Sequence, residues 1–160
     1  LIRIFAAVHE KAPDWNLRII GEGDERPALE ALIREQGLSD CVTLTGKLSP
    51  EGVEREMLSA SIYASTSKSE GFMLTLVEGM SCGLAPVAYD VRDGPALIIT
   101  DSVNGYLVPD GDADGYAARL LGLINDPGLM AELSHAAVRR ARDFSKENIS
   151  RQWLNLLEDK

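Results

Sequence analysis

Leu1, Phe5, Val8 and Ala12 recur at helical spacing and Pro13 follows them, so the chain is expected to open with a helix that buries one stripe. The period then changes. NLRIIGEG (16–23) is a short β-branched run closed by glycines and reads as a strand, and Ala28, Leu29, Leu32 and Ile33 mark a helix over about 26–36 that Gly37 stops. CVTLTG (41–46) is the next expected strand. Ser49-Pro50-Glu51 supplies a cap, a first-turn proline and a first-turn acid for a helix to about residue 59, and SIYASTS (61–67) reads as a strand that turns polar at its end.

A helix over 75–82, a buried strand LAPVAYD (84–90), a short helix from Gly94-Pro95 through Thr100 and a turn, strand and turn in NGYLVPDGD follow. The remainder reads as helical, broken at Asp126-Pro127-Gly128 and near Phe144-Ser145, with Trp153, Leu156 and Leu157 forming a last apolar seam. Strands that alternate with helices, and that are apolar on both faces, predict an α/β fold: a parallel sheet flanked by helices, in one domain over 1–160.

Composition narrows the class. The 160 residues are 45% hydrophobic and 26% charged, ordinary for a globular domain of this size. A net charge of −9 works against a nucleic-acid partner, and the one dense basic cluster, Arg139, Arg140 and Arg142, reads as a solvated helix face. Cys41 and Cys82 lack metal-ligand spacing and are expected as buried reduced thiols, while His9 and His135 read as surface or satisfied residues. Asp112 and Asp114 fit a turn and helix cap better than a metal site, so no metal is expected. The opening LIRIFAAVHEK has neither the basic start nor the cleavage site of a signal peptide, which reads as cytoplasmic.

Candidate chemistry gathers in SEGFMLTLVEGMSCG (69–83). In a parallel sheet, ligands bind beyond the carboxyl ends of strands, and the loops at 21–24, 46–47, 67–75 and 90–94 should open on that edge. With a helix starting near Met73 or Leu74, the amides of Gly71, Phe72, Met73, Leu74 and Thr75 would converge on the positive end of its dipole, a place for phosphate. Gly71 permits close approach and the Thr75 hydroxyl could add a donor. Glu70 before the helix and Glu78 in its first turns would flank that point, and ionised carboxylates accept hydrogen bonds from hydroxyls. Two such groups about a diphosphate suit a nucleotide sugar. The same spacing also fits a charge favoured by the helix dipole and an exposed helical residue.

The run SEGFMLTLVEGMSCGLAPVAYDV resembles the signature of the retaining, nucleotide-sugar-dependent glycosyltransferases of GT-B fold called group 1 or family 4, in which Ser69, Glu70, Gly71, Phe72, Glu78, Met80 and Gly83 match the pattern. The likeness extends over PDWNLRIIGEGDERPALEALI, CVTLTGKLSPEGVEREMLSASIYASTS and DGPALIITDSVNGYLVPDGD. It implies the C-terminal, Rossmann-like, donor-binding domain of an enzyme whose N-terminal acceptor domain is absent, and a fragment inactive alone. Glu78 would then hold the ribose, Glu70 the donor sugar, the amides of Phe72, Met73 and Leu74 the phosphate and sugar, and Gly46, Lys47 and Leu48 would lie against the base. The donor, a UDP-sugar in this reading, is the only small molecule expected. The resemblance implies bacterial cell-wall or polysaccharide synthesis and leaves membrane contact of the parent enzyme open.

Two departures accompany the resemblance. Leu97 stands where relatives carry an acid, and relatives have a strand before the first helix whose following loop supplies an Arg and a Lys to the diphosphate. Two other readings stay open: a non-catalytic Rossmann-like module that binds a protein partner, and a nucleotide-sugar epimerase-like domain.

Overall fold

The computed structural model describes residues 1–92 and 94–158; Asp93, in the loop expected over 90–94, and residues 159–160 lie outside them. Helices and strands alternate as α1 (Ile2–His9), β1 (Leu17–Ile20), α2 (Arg26–Glu35), β2 (Val42–Gly46), α3 (Pro50–Leu58), β3 (Ile62–Ser65), α4 (Leu74–Ser81), β4 (Ala85–Asp90), β5 (Tyr106–Pro109), α5 (Ala113–Asn125), α6 (Pro127–Ala141) and α7 (Lys146–Glu158), with single 3-10 turns at Pro95–Leu97 and Arg142–Phe144. The caps expected at Ser49 and Asp112 form, and Asp126 adds another. Ser49 accepts from the Gly52 amide (3.2 Å), Asp112 from Gly115 (2.9 Å) and Asp126 from Leu129 (2.9 Å), each contact satisfying an orphan donor of a first turn.

All three strand pairings are parallel, with Leu17 beside Val42, Ile62 beside Ala85 and Val87 beside Tyr106. The strands nonetheless form two sheets, β1-β2 and β3-β4-β5, rather than one. Between them lies an open slot of about 900 Å3, walled by Leu17–Ile20 of β1 and Ile62–Ala64 of β3 and floored by Phe5, Val8, Leu120 and Ile124. β1 bonds only to β2 and β3 only to β4 among the described residues, so the inner edge of each presents unpaired backbone groups to the slot.

β4 explains why its sequence is apolar at every inner position. Ala85, Val87 and Tyr89 pack with Phe5 of α1 and with Tyr116 and Leu120 of α5, whereas Ala88 packs with Leu76 and Met80 of α4 and Ala137 of α6. A strand covered on both faces cannot alternate. The turn into β5 leans on it directly: at Gly105 (φ +154°) a Cβ would come within 2.5 Å of Pro86 Cγ and 2.8 Å of its carbonyl oxygen. Gly105→Ala is therefore expected to lower stability by about 1–3 kcal/mol, read as a drop in Tm, because backbone and not a flexible side chain must give way.

Four expectations need correction. The short helix expected through Thr100 stops after one turn, because Asn104 Oδ1 accepts from the Thr100 amide (2.6 Å) and the Asn104 amide group donates to Ile98 O (3.1 Å). The seam of α7 lies open among the described residues: Trp153 is 61% exposed and Leu154, Leu156 and Leu157 are similarly open. His9 is neither free on the surface nor satisfied, since its Nδ1 is buried without a hydrogen-bond partner among the described residues while its ring lies 5.8 Å from that of Phe5. Cys41 is buried as expected, but Cys82 is only half-buried. Burial pushes both thiols up, assisted by Asp40 at Cys41 and by Glu54 and Glu78 at Cys82, so each stays in the poorly nucleophilic protonated form at neutral pH.

Candidate functional site

The loop after β3 leads into α4 through Phe72 and Met73, and no side chain caps the helix start. Met73 is buried among Leu76, Met80 and Ile98, which anchors the first turn from below. Its neighbours point outward: Gly71, Phe72, Leu74, Thr75 and Glu78 are exposed. The Leu74 amide donates to Phe72 O (3.0 Å), so this expected phosphate contact is already partnered within the loop. A free first turn carries concentrated positive potential whichever anion it meets.

Tyr63 on β3 is tied to the start of α4 through Thr75. Its hydroxyl lies 2.8 Å from Thr75 Oγ1, and its phenol is pushed up first by burial and then by the charges of Glu70 and Glu78, with the Thr75 bond opposing. One phenol therefore feels both carboxylates. Tyr63 stays a neutral donor at neutral pH; when it donates to Thr75, the Thr75 proton is left to serve a ligand. Sequence reasoning passed over Tyr63, and the signal was its place on the polar-ending strand directly before the motif.

Gly79 makes that arrangement fit. A Cβ there would sit 2.8 Å from Tyr63 Cδ2, so the ring lies flat against α4 only because residue 79 has none. Gly79→Ala should push the ring away, break the Tyr63–Thr75 bond and lower Tm; near-ultraviolet circular dichroism of the tyrosine band would report the displacement.

Thr75 and Glu78 line the end of the slot between β1 and β3, together with Tyr63, Ile19 and Ile20. Glu70 stands apart from that wall. A Cβ on Gly94 would meet Glu70 Cβ at 2.9 Å, which places the glutamate against the loop after β4. The two carboxylates thus bracket the α4 terminus from different sides. Across the slot, Gly46 is buried at φ +73°, Lys47 is exposed and Leu48 half-buried, and the Gly21 amide donates to Gly46 O (3.1 Å). The loops at 21–24 and 46–47 therefore meet at the carboxyl end of the β1-β2 sheet. Tyr89, on the same rim, is buried edge-on against Tyr116 (5.1 Å between centroids), and the Tyr116 hydroxyl donates within β4 to Val87 O (2.6 Å), close to Ser65 O (3.1 Å) at the start of the 66–73 loop.

Comparisons with known proteins agree with this architecture. The chain is 31% identical over 157 residues to the poly(ribitol-phosphate) alpha-N-acetylglucosaminyltransferase of Staphylococcus aureus, covering 98% of this chain and 31% of the relative. It superposes on the pneumococcal O-GlcNAc transferase GtfA, solved in complex with UDP and GlcNAc, with a TM-score of 0.87 at 26% identity over 99% of this chain and 32% of that one. It also matches the C-terminal domain of a glycosyl transferase group 1 family protein, LpcC, from Francisella tularensis, with a TM-score of 0.81 and 26% identity over 92% of this chain and 77% of that one. The chain thus spans about a third of the length of the two complete enzymes. The model of the family described as glycosyl transferases group 1 matches residues 1–144, and the chain belongs to that family.

Proposed function

We propose that this chain is the donor-binding domain of a retaining glycosyltransferase that takes a nucleoside-diphosphate sugar, UDP-linked, and passes the sugar to an acceptor hydroxyl. The observation that carries the reading is the uncapped start of α4, with Thr75 and Glu78 lining the slot on one side and Glu70 against the loop after β4 on the other. In this reading the amides of Gly71, Phe72, Met73 and Thr75 and the Thr75 hydroxyl receive the diphosphate, Glu78 accepts from the ribose diol, and Glu70 accepts from the sugar hydroxyls. Gly46, Lys47 and Leu48 border the base.

The costly event is charge building on the departing phosphate as the anomeric carbon–oxygen bond breaks. Donors fixed at that position supply stabilisation, typically ~3–4 kcal/mol for each one. The sugar carbon then bonds to the acceptor oxygen with its configuration kept, and the acceptor hydroxyl's proton passes to the departing diphosphate oxygen. The diphosphate needs no metal in this arrangement. The unpaired edges of β1 and β3 that line the slot could each pair with a further strand.

An acceptor domain of the same enzyme is the partner, and the chain alone would be inactive. The exposed seam of α7 is the observation behind a second reading, a protein-binding module of this fold. Synthesis of a bacterial cell-wall or surface polysaccharide in the cytoplasm is the setting we assign. Titration calorimetry separates the readings: saturable UDP binding supports the enzyme, and its absence together with partner capture by α7 supports the module.

A further inference from the structure

We propose that Arg140 is a positioning residue for Glu70, an inference that rests on the donor-site reading above. The basic cluster expected as a solvated face divides in the structure: Arg139 and Arg142 are exposed, but Arg140 is half-buried with each of its guanidinium nitrogens engaged. Its Nε donates to Ile98 O (3.1 Å), Nη2 to Leu97 O (2.8 Å) and Nη1 to Asp143 Oδ2 (3.0 Å), while the guanidinium carbon lies 4.7 Å from the centroid of the Phe144 ring. Five donors in a rigid fork hold two successive carbonyls in fixed directions, whereas an ammonium offers three donors from one freely rotating point.

Two routes run from this group into the donor loop. The first passes through the 3-10 turn: the Leu97 amide donates to Gly94 O (3.1 Å), and the Gly94 backbone abuts Glu70 Cβ and, at 3.6 Å from its would-be Cβ, Gly71 O. The second passes through the rings, since Phe144 meets Phe72 edge-on at 5.3 Å and 61°. Phe72 is 45% exposed and follows Glu70 by two residues, so its ring contact is a main tether of that face of the loop. Asn104, buried and bonded to the same Ile98 carbonyl, fixes the far end of the turn. The guanidinium thus sets the position of Glu70 without reaching the ligand. Glu78 and the slot wall lie outside both routes.

The test is a comparison of Arg140→Gln and Arg140→Lys with the unmodified protein. Affinities are read for UDP and for whichever of UDP-glucose and UDP-N-acetylglucosamine the unmodified protein binds more tightly, with Tm alongside, and kcat and KM are read in the complete enzyme carrying the same substitutions. Arg140→Gln should leave the UDP affinity within about twofold and raise the ratio of UDP-sugar Kd to UDP Kd at least about threefold, with kcat lowered; Arg140→Lys should recover only part of this. A fall in Tm with that ratio unchanged, or equal weakening of UDP and UDP-sugar, overturns the inference. If Arg140→Gln does not fold, Gly94→Ala, which acts on Glu70 with the arginine intact, must move the same ratio or the inference is lost. An unmodified protein that fails to bind UDP overturns the proposed function and this inference with it, whereas UDP binding with an unmoved ratio overturns the inference alone.

Discussion

Replacing Glu78 with alanine weakens UDP binding at least about tenfold. A hydroxyl donating to an ionised carboxylate contributes roughly 1.5–3 kcal/mol, and 1.4 kcal/mol is tenfold in affinity. Glu78 is exposed on α4 beside Thr75 at the slot, so its loss removes an acceptor without opening the core, and Tm should barely move. The chemistry of the ribose gives a sharper form of the prediction. Unmodified protein should bind UDP more tightly than 2′,3′-dideoxy-UDP, and Glu78→Ala should bind the two equally. Calorimetry with both nucleotides checks this, and an affinity for UDP unchanged in Glu78→Ala would remove Glu78 from the site.

Glu70→Gln has the opposite signature. The substituted amide keeps the volume and the contact with Gly94 but is a weaker acceptor and brings a donor of its own, so sugar hydroxyls lose their orientation while the nucleotide is untouched. UDP affinity should stay within about twofold and kcat in the complete enzyme should fall by about 10²–10³, the scale of removing one group that acts at the reacting centre. Titration calorimetry beside steady-state kinetics separates this from misfolding, because a smaller folded fraction lowers the binding stoichiometry in step with kcat, whereas loss of the carboxylate lowers kcat at unchanged stoichiometry. A UDP affinity lost in step with kcat would assign Glu70 to the nucleotide side.

The helix start at the candidate site was legible in the sequence, and the reason is local. The polar end of β3, the Gly-Phe-Met entry and the apolar positions of α4 are neighbours in sequence, so their pattern alone places a helix terminus at residues 73–74, where α4 indeed begins. The double-sided burial of β4 and the caps at Ser49 and Asp112 were readable for the same reason. What escaped depends on distant residues. The grip of Arg140 on Leu97 and Ile98 joins positions more than forty residues apart, and Arg139 and Arg142 beside it give no hint that the middle arginine differs. Gly79 and Tyr63 meet only because β3 and α4 pack together. The α7 seam shows the other limit: helical spacing tells which side chains share a face and says nothing of what covers it. The split of the sheet was not expected, and no pattern within the chain marks a gap between β1 and β3.

The most direct measurement is a crystal structure of the protein grown with UDP. The account places diphosphate oxygens within hydrogen-bond distance of the amides at the start of α4 and of the Thr75 hydroxyl, with the ribose hydroxyls on Glu78. A nucleotide seated elsewhere, or one whose ribose turns away from Glu78 while its phosphates leave the helix terminus to solvent, would contradict it.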